Sequence, residues 1–192
     1  YWEIPASAKT AVTGRWRLAP GDALFQALKA EFGVLPLVAE DLGVITPEVD
    51  ALRDAHHLLG TKVLHFAFGC GANNPYLPHN HLVNSVVYTG THDNNTTLGW
   101  FHELDEVSRK HLFDYLGNVT ERMPELLVRT AFASVARLAV TPMQDVLALG
   151  GEHRMNRPGV ADGCWRCRFR WDQVGHALVD HYRHLLELYG RV

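Results

Sequence analysis

Apolar residues recur along this chain in two alternating rhythms. Behind Pro20-Gly21-Asp22, the residues Leu24, Ala27, Leu28 and Phe32 fall on one helical face, and Gly33 supplies the stop. The next run, Val34-Leu35-Pro36-Leu37-Val38-Ala39, is apolar on both faces and predicts a buried parallel strand ending in Glu40-Asp41. Thr46-Pro47-Glu48 reads as N-cap, first helical residue and first-turn acid of a second helix through Val49, Leu52 and Arg53. Further strands are predicted over 62–68, 85–88 and 138–141, and further helices over about 107–116, 124–136 and 173–189. A Gly/Asn/Pro-rich loop, 69–84, separates the second strand from the third.

Strands alternating with helices imply βα units on a parallel sheet, an α/β fold. About four such units form either an open sheet or half of a (β/α)8 TIM barrel. Glu40-Asp41 and His92-Asp93 both stand where a strand gives way to a loop. That rim of a barrel is where catalytic groups gather, so the half barrel is the better reading, with four strands unaccounted for. The opening Tyr1-Trp2-Glu3-Ile4-Pro5 begins at full hydrophobic density without an initiator Met and reads as the middle of a domain. Residues 1–192 are therefore expected to form one part of a larger catalytic barrel.

Composition narrows the function. The 192 residues are 47% hydrophobic with a formal net charge of −3, enough for a sizeable core and without the basic stripe that nucleic acid or anionic lipid requires. No apolar stretch approaches a membrane span. Three cysteines, Cys70, Cys164 and Cys167, are too few and too uneven for a disulfide framework, which favours a reducing, cytoplasmic compartment. Cys164-Trp165-Arg166-Cys167 lacks the strand-to-helix setting of a redox pair and the second pair of a zinc site, so its spacing is incidental. Of the twelve histidines, His56-His57 and His181-His184 fall on predicted helices as solvated faces, with His181 as a candidate buried exception.

Glu40, directly after an apolar strand, is expected to be partly desolvated, which suits a general acid that holds its proton near neutral pH. Asp93 lies between His92 and Asn94, polar neighbours that favour its ionised form. A protonated and an ionised carboxyl are the pair that glycosidic cleavage uses. The competing structural role is that Glu40 and Asp41 only cap or pair with the following helix.

Longer stretches resemble one family. Ala39-Glu40-Asp41-Leu42-Gly43-Val44-Ile45-Thr46-Pro47-Glu48-Val49 resembles the acid/base segment of 4-α-glucanotransferases of the amylomaltase (disproportionating enzyme) family. Lys62–Phe68, Asn74–Asn80 and Tyr88-Thr89-Gly90-Thr91-His92-Asp93-Asn94 are similar to its following strand, loop and THDN region. Pro142-Met143-Gln144-Asp145 and Arg154-Met155-Asn156-Arg157-Pro158-Gly159 resemble its last strand and a sugar-binding loop. The resemblance implies a retaining transfer of α-1,4-glucan segments to an acceptor 4-hydroxyl, with no cofactor and no metal. It implies Glu40 as acid/base, Asp93 as transition-state stabiliser, His92 and Asn156 as sugar-binding groups, and Phe66 in the pocket beside Glu40. Phe66 and Trp100 would help to exclude water, and Trp165 and Trp171 are candidates for stacking on glucose. The family's nucleophilic aspartate belongs to an Arg-Ile-Asp-His type segment upstream of Tyr1, so this chain alone is expected to be inactive.

Departures from the family pattern include Asn95 for an aspartate, His65 and His81 for glutamine and tyrosine, and Cys164 and Cys167 for asparagine and tryptophan. His81 and Cys164 put some sugar contacts in doubt. Two other functions compete: a metal-dependent barrel hydrolase using Glu40, His65, His92 and Asp93, and a non-catalytic glucan-binding remnant. A half barrel also leaves an apolar face and open sheet edges, which predicts self-association.

Overall fold

The computed structural model describes residues 1–69, 71–117 and 122–192, and Cys70 lies outside them. The chain forms two compact units, Tyr1–Leu58 and Leu59–Val192.

In the first unit, β1 (Trp2–Glu3) and β2 (Arg15–Trp16) pair antiparallel, with Glu3 taking both Arg15 and Arg17. Helix α1 (Gly21–Phe32) ends at Gly33, whose φ of 71° needs a residue without a Cβ. Helix α2 (Pro47–Ala55) starts with proline in its first turn, where the missing N–H costs nothing. The two helices meet closely: a Cβ at Gly21 would lie 2.6 Å from a Leu52 methyl, and His56 Nε2 lies 2.9 Å from Asp22 Oδ1. His56 is buried, which corrects the solvated-face expectation for it.

The run 34–39 is not a strand; a single bridge residue, Val38, is all the ladder it makes. Pro36 lacks the N–H that a ladder through the middle of the run would need.

The second unit holds the parallel sheet. Its strands β3 (Gly60–Val63), β4 (Ser85–Tyr88) and β5 (Leu138–Val140) lie in that order, with Val63 opposite Tyr88 and Tyr88 opposite Val140. Among the described residues, three parallel strands thus stand where four were expected. β3 also stops early, passing into a 3-10 turn at Leu64–Phe66. The Asn74 amide stabilises that turn by donating to the Phe66 and Ala67 carbonyls at 2.7 and 2.9 Å. The loop beyond β3 is thereby built from side-chain hydrogen bonds, Asn80 adding two more to the carbonyls of Ala72 and Asn74.

Helix α3 (Thr97–Glu103) follows β4 and was not predicted; Thr96 caps it by accepting from the Gly99 N–H at 3.1 Å. Helix α4 (Glu106–Leu116) is capped by Asp105, whose carboxyl is held below its usual range by the Ser108 N–H and hydroxyl. Helix α5 (Glu125–Ala133) places Leu127 and Ala131 in a core with Leu64, Phe68, Val87 and Leu112. Its Val128 and Phe132 pack instead on Leu185 of the last helix, α7 (His176–Leu188). Between them the short α6 (Met143–Val146) follows β5. His181 on α7 is exposed and pairs with Glu125, so it is not a buried exception.

Leu127 is fully buried and Val107 is 78% exposed. Leu127→Ala is expected to destabilise the chain by about 2–5 kcal/mol, whereas Val107→Ala should change stability by less than about 0.5 kcal/mol. Urea unfolding midpoints check both.

Candidate active site

The loop joining β4 to α3, residues 89–96, leaves the C-terminal end of the central strand and carries His92 and Asp93. It is stiffened from within, because Asn94 Oδ1 accepts from both the N–H and the hydroxyl of Thr91, at 2.8 and 2.9 Å. A second segment grips it from outside. Asn156 donates its amide N–H to Asp93 Oδ1 at 2.6 Å, and Arg154 donates to the Asp93 carbonyl at 2.6 Å. The Asn156 N–H also bonds the His92 carbonyl at 3.1 Å. His92 Nε2 stands 3.4 Å from the same Asp93 oxygen.

His92, Asp93 and Asn156 therefore form one cluster, although Asn156 lies 63 positions from Asp93 in the sequence. The Asp93 side chain remains 44% exposed and His92 54% exposed, so the carboxylate is oriented by neighbours yet open to a ligand. Trp165 joins them, its ring 5.1 Å from that of His92 and its N–H bonded to the Met155 carbonyl. Trp165 adopts φ 62°, a conformation that bulky residues seldom take, and its side chain is 55% exposed. Cys164 accepts the Arg157 N–H through its sulfur, so it braces the same segment. Trp171 is exposed against Phe169. A cavity of about 110 Å³ opens beside the loop, lined by His92, Asn95, Gln144, Arg154 and Met155 among others.

Beneath the loop lies a buried polar layer. Asp145 on α6 is 2% exposed, and its carboxylate accepts from the Thr89 hydroxyl (2.6 Å), the Thr97 hydroxyl (2.7 Å) and the Thr97 N–H (2.8 Å). Motif reading missed Asp145, Thr89, Thr97 and Arg154 as supports of the site. An acid five residues beyond β5 was the available signal for Asp145, the same distance that separates Asp93 from the end of β4.

His65 extends this layer, stacked on Trp100 at 4.6 Å and 8° with Nε2 2.9 Å from Thr97 Oγ1. Burial pushes its pKa down to about 3. Trp100 is half-buried and packs against the core under the loop. Enclosed in this way, His65 does not join His92 and Asp93 as a metal ligand. Among the described residues, no three His, Cys, Asp or Glu side chains converge on one point.

His81 is likewise structural. Its Nε2–H donates to the Tyr76 carbonyl at 2.9 Å, so Nδ1 accepts from the Ser134 hydroxyl at 2.7 Å, and burial lowers its pKa. Phe66 is 43% exposed, edge-on to Tyr76.

In the first unit Glu40 is exposed, not desolvated as expected. Its neighbour Asp41 takes the structural role, ion-paired with Arg53 of α2, which Asp50 and Asp54 also hold. The Asp54 hydrogen bond is the largest of the influences that raise the Arg53 pKa, with Asp41 adding to it.

The chain is similar to proteins of one known family. Residues 1–173 match the 4-alpha-glucanotransferase family profile. The 4-alpha-glucanotransferase of Synechocystis sp. is 52% identical over 194 residues, spanning 100% of this chain and 38% of that protein. The enzyme of that name from Thermus thermophilus is 54% identical, covering 88% of this chain and 35% of its own length. Amylomaltase from Streptococcus agalactiae in complex with acarbose superposes with a TM-score of 0.93 at 33% identity, over 99% of this chain and 39% of that one. The chain belongs to the 4-alpha-glucanotransferase family, and it spans under two-fifths of the length of these relatives.

Two of the buried histidines, His65 and His81, generate a pH dependence. Their folded pKa values lie below the unfolded value of about 6.5, so the unfolded chain binds protons first as pH falls. Stability should be full above about pH 6.5 and decline as pH falls, for His65 down to about pH 3 at up to about 1.4 kcal/mol per pH unit, with His81 acting in the same direction. Urea midpoints at pH 7 and pH 5 should differ accordingly, and His65→Gln should shrink the difference.

Proposed function

We propose that this chain supplies the acid/base and transition-state-stabilising part of a retaining 4-α-glucanotransferase. The observation that carries the reading is the Asn156–Asp93 bond of 2.6 Å, which aims an exposed carboxylate from the end of a parallel strand, beside His92. Membership of the family and the likeness to an acarbose-bound amylomaltase support an α-1,4-glucan or maltooligosaccharide as substrate.

In this scheme Glu40 protonates the leaving glycosidic oxygen while an aspartate from an upstream segment attacks the anomeric carbon. The charge developing on the ring is stabilised by Asp93, and His92 and Asn156 hold sugar hydroxyls. The nucleophile and acid/base of retaining enzymes stand about 5–5.5 Å apart, which leaves no room for a water between them. An acceptor 4-hydroxyl then enters, Glu40 takes its proton, and the glucan is released with its original anomeric configuration. Apolar side chains such as Phe66 would disfavour water as the acceptor.

The three parallel strands serve as part of a (β/α)8 barrel, residues 1–192 forming its C-terminal portion. Leu138 and Val140 on the edge strand β5 are 47% and 41% exposed, and an upstream half barrel would cover such a face. Without it, two copies of this chain are expected to associate. The compartment fitting the thiol content is the cytoplasm, and among the described residues no helix is long and apolar enough to cross a membrane.

Incubation with maltotriose tests the reading. The chain alone should give no products, and the chain joined to an upstream barrel half should give glucose and a ladder of longer maltooligosaccharides. In that joined protein Glu40→Gln and Asp93→Asn should each lower the transfer rate by about 10²–10⁴-fold. Sugar binding without any turnover in the joined protein would overturn the assignment.

A further inference from the structure

The Thr97 hydroxyl sits between two buried groups that constrain it from opposite sides. It lies 2.7 Å from Asp145 Oδ2 and 2.9 Å from His65 Nε2. A hydroxyl has one proton, and an ionised carboxylate can only accept. Thr97 therefore donates to Asp145, and its oxygen must accept from His65. The imidazole consequently carries its proton on Nε2, leaving Nδ1 bare.

The other side of the ring agrees with that assignment. His65 Nδ1 is buried and, among the described residues, has no hydrogen-bond partner. It faces Gly90, where an added Cβ would lie 2.7 Å from Nδ1 and 2.5 Å from Cε1. A bare nitrogen needs no partner there, whereas a proton on Nδ1 would find no acceptor among the described residues. Trp100 stacks over the ring at 4.6 Å, so the imidazole cannot readily swing away.

Asp145 also reaches both stems of the same loop, since Thr89 opens it and Thr97 begins α3 directly after it. All four residues are buried, with Thr89 and Thr97 fully so.

We propose that Asp145 is a positioning residue for the loop bearing His92 and Asp93: it clamps Thr89 to Thr97 and, through the Thr97 hydroxyl, fixes His65 as the Nε2–H tautomer against Gly90. Its consequence for catalysis rests on the glucanotransferase reading, while the clamp and the tautomer do not.

The discriminating variant is Asp145→Asn. The amide oxygen it introduces still accepts the Thr97 N–H, but the new NH2 faces both threonine hydroxyls. Thr97 then accepts from that NH2 and is free to turn its proton toward His65 Nε2, the arrangement that places the ring proton on Nδ1 beside Gly90. Merely loosening the packing would not reverse a tautomer.

Nitrogen-detected NMR of the ring nitrogens in the full chain, without ligand, reads this directly. Protonated Nε2 and bare Nδ1 in the unmodified chain, reversed in D145N, are the expected result. A proton on Nδ1 of the unmodified chain, or an unchanged Nε2–H in a folded D145N, would overturn the proposal. Should D145N not fold, the assignment in the unmodified chain still decides the tautomer. Thr97→Val, which removes the relay hydroxyl at similar volume, then tests the coupling and should abolish the single-tautomer preference; an undisturbed Nε2–H would overturn it.

In the joined, transferring protein, D145N should lower kcat for maltotriose about 10²-fold with little change in KM, the mark of a displaced reacting group. Unchanged kcat there would overturn the positioning role. Absence of transfer even without the substitution would remove the glucanotransferase reading, and the ring protonation in the two chains would then decide the clamp and the tautomer by itself.

Discussion

The central strand β4 is hydrogen-bonded on both edges, to β3 and to β5, and this sandwiching governs the second unit. A strand paired on both sides has no backbone groups left for water, so its faces must be covered by apolar side chains. Val86 and Val87 are accordingly buried, and Leu127 and Ala131 of α5 share the core with Val87. The C-terminal end of β4 opens into the loop that carries His92 and Asp93, so a strand paired on both edges presents these two groups.

Where the apolar core stops, a polar layer takes over. Asp145, Thr89, Thr97 and His65 are buried at the C-terminal ends of the three parallel strands, and their hydrogen bonds run to one another. A carboxylate in such a place is stabilised by donors held at fixed geometry, here two hydroxyls and one backbone N–H. Above it the Asp93 side chain remains partly open to solvent, oriented by Asn156 with Arg154 holding its backbone carbonyl. Two carboxylates in adjacent layers thus do different work, one dry and structural, the other exposed and available.

Local signals were sufficient for many elements. Helices α1, α2, α4, α5 and α7 followed from apolar spacing with Gly33, Thr46-Pro47 and Pro124 at their ends. α3 escaped because Gly99 and Thr97 are weak helix formers, and its stability comes from the Thr96 cap and from Trp100 packed on His65. The apolar run 34–39 misled for the opposite reason, since hydrophobicity alone makes no ladder. Asp93, His92, Asn156 and Glu40 were singled out through their motifs. The bond between Asp93 and Asn156 was not, because it spans 63 residues.

By itself the sequence determined the βα alternation, the helix ends, and which acids stand at the ends of apolar runs, all of which depend on neighbours within a few residues. It also carried the family, because motifs in one collinear order specify one fold. Tertiary structure alone decided that Asp41 is anchored to Arg53 while Glu40 is exposed, and that His65 and His81 are buried supports. It alone decided that Asp145 lies under the loop. Burial and hydrogen-bond pairing belong to residues that meet only after the chain has folded, and no local pattern encodes which of them will meet.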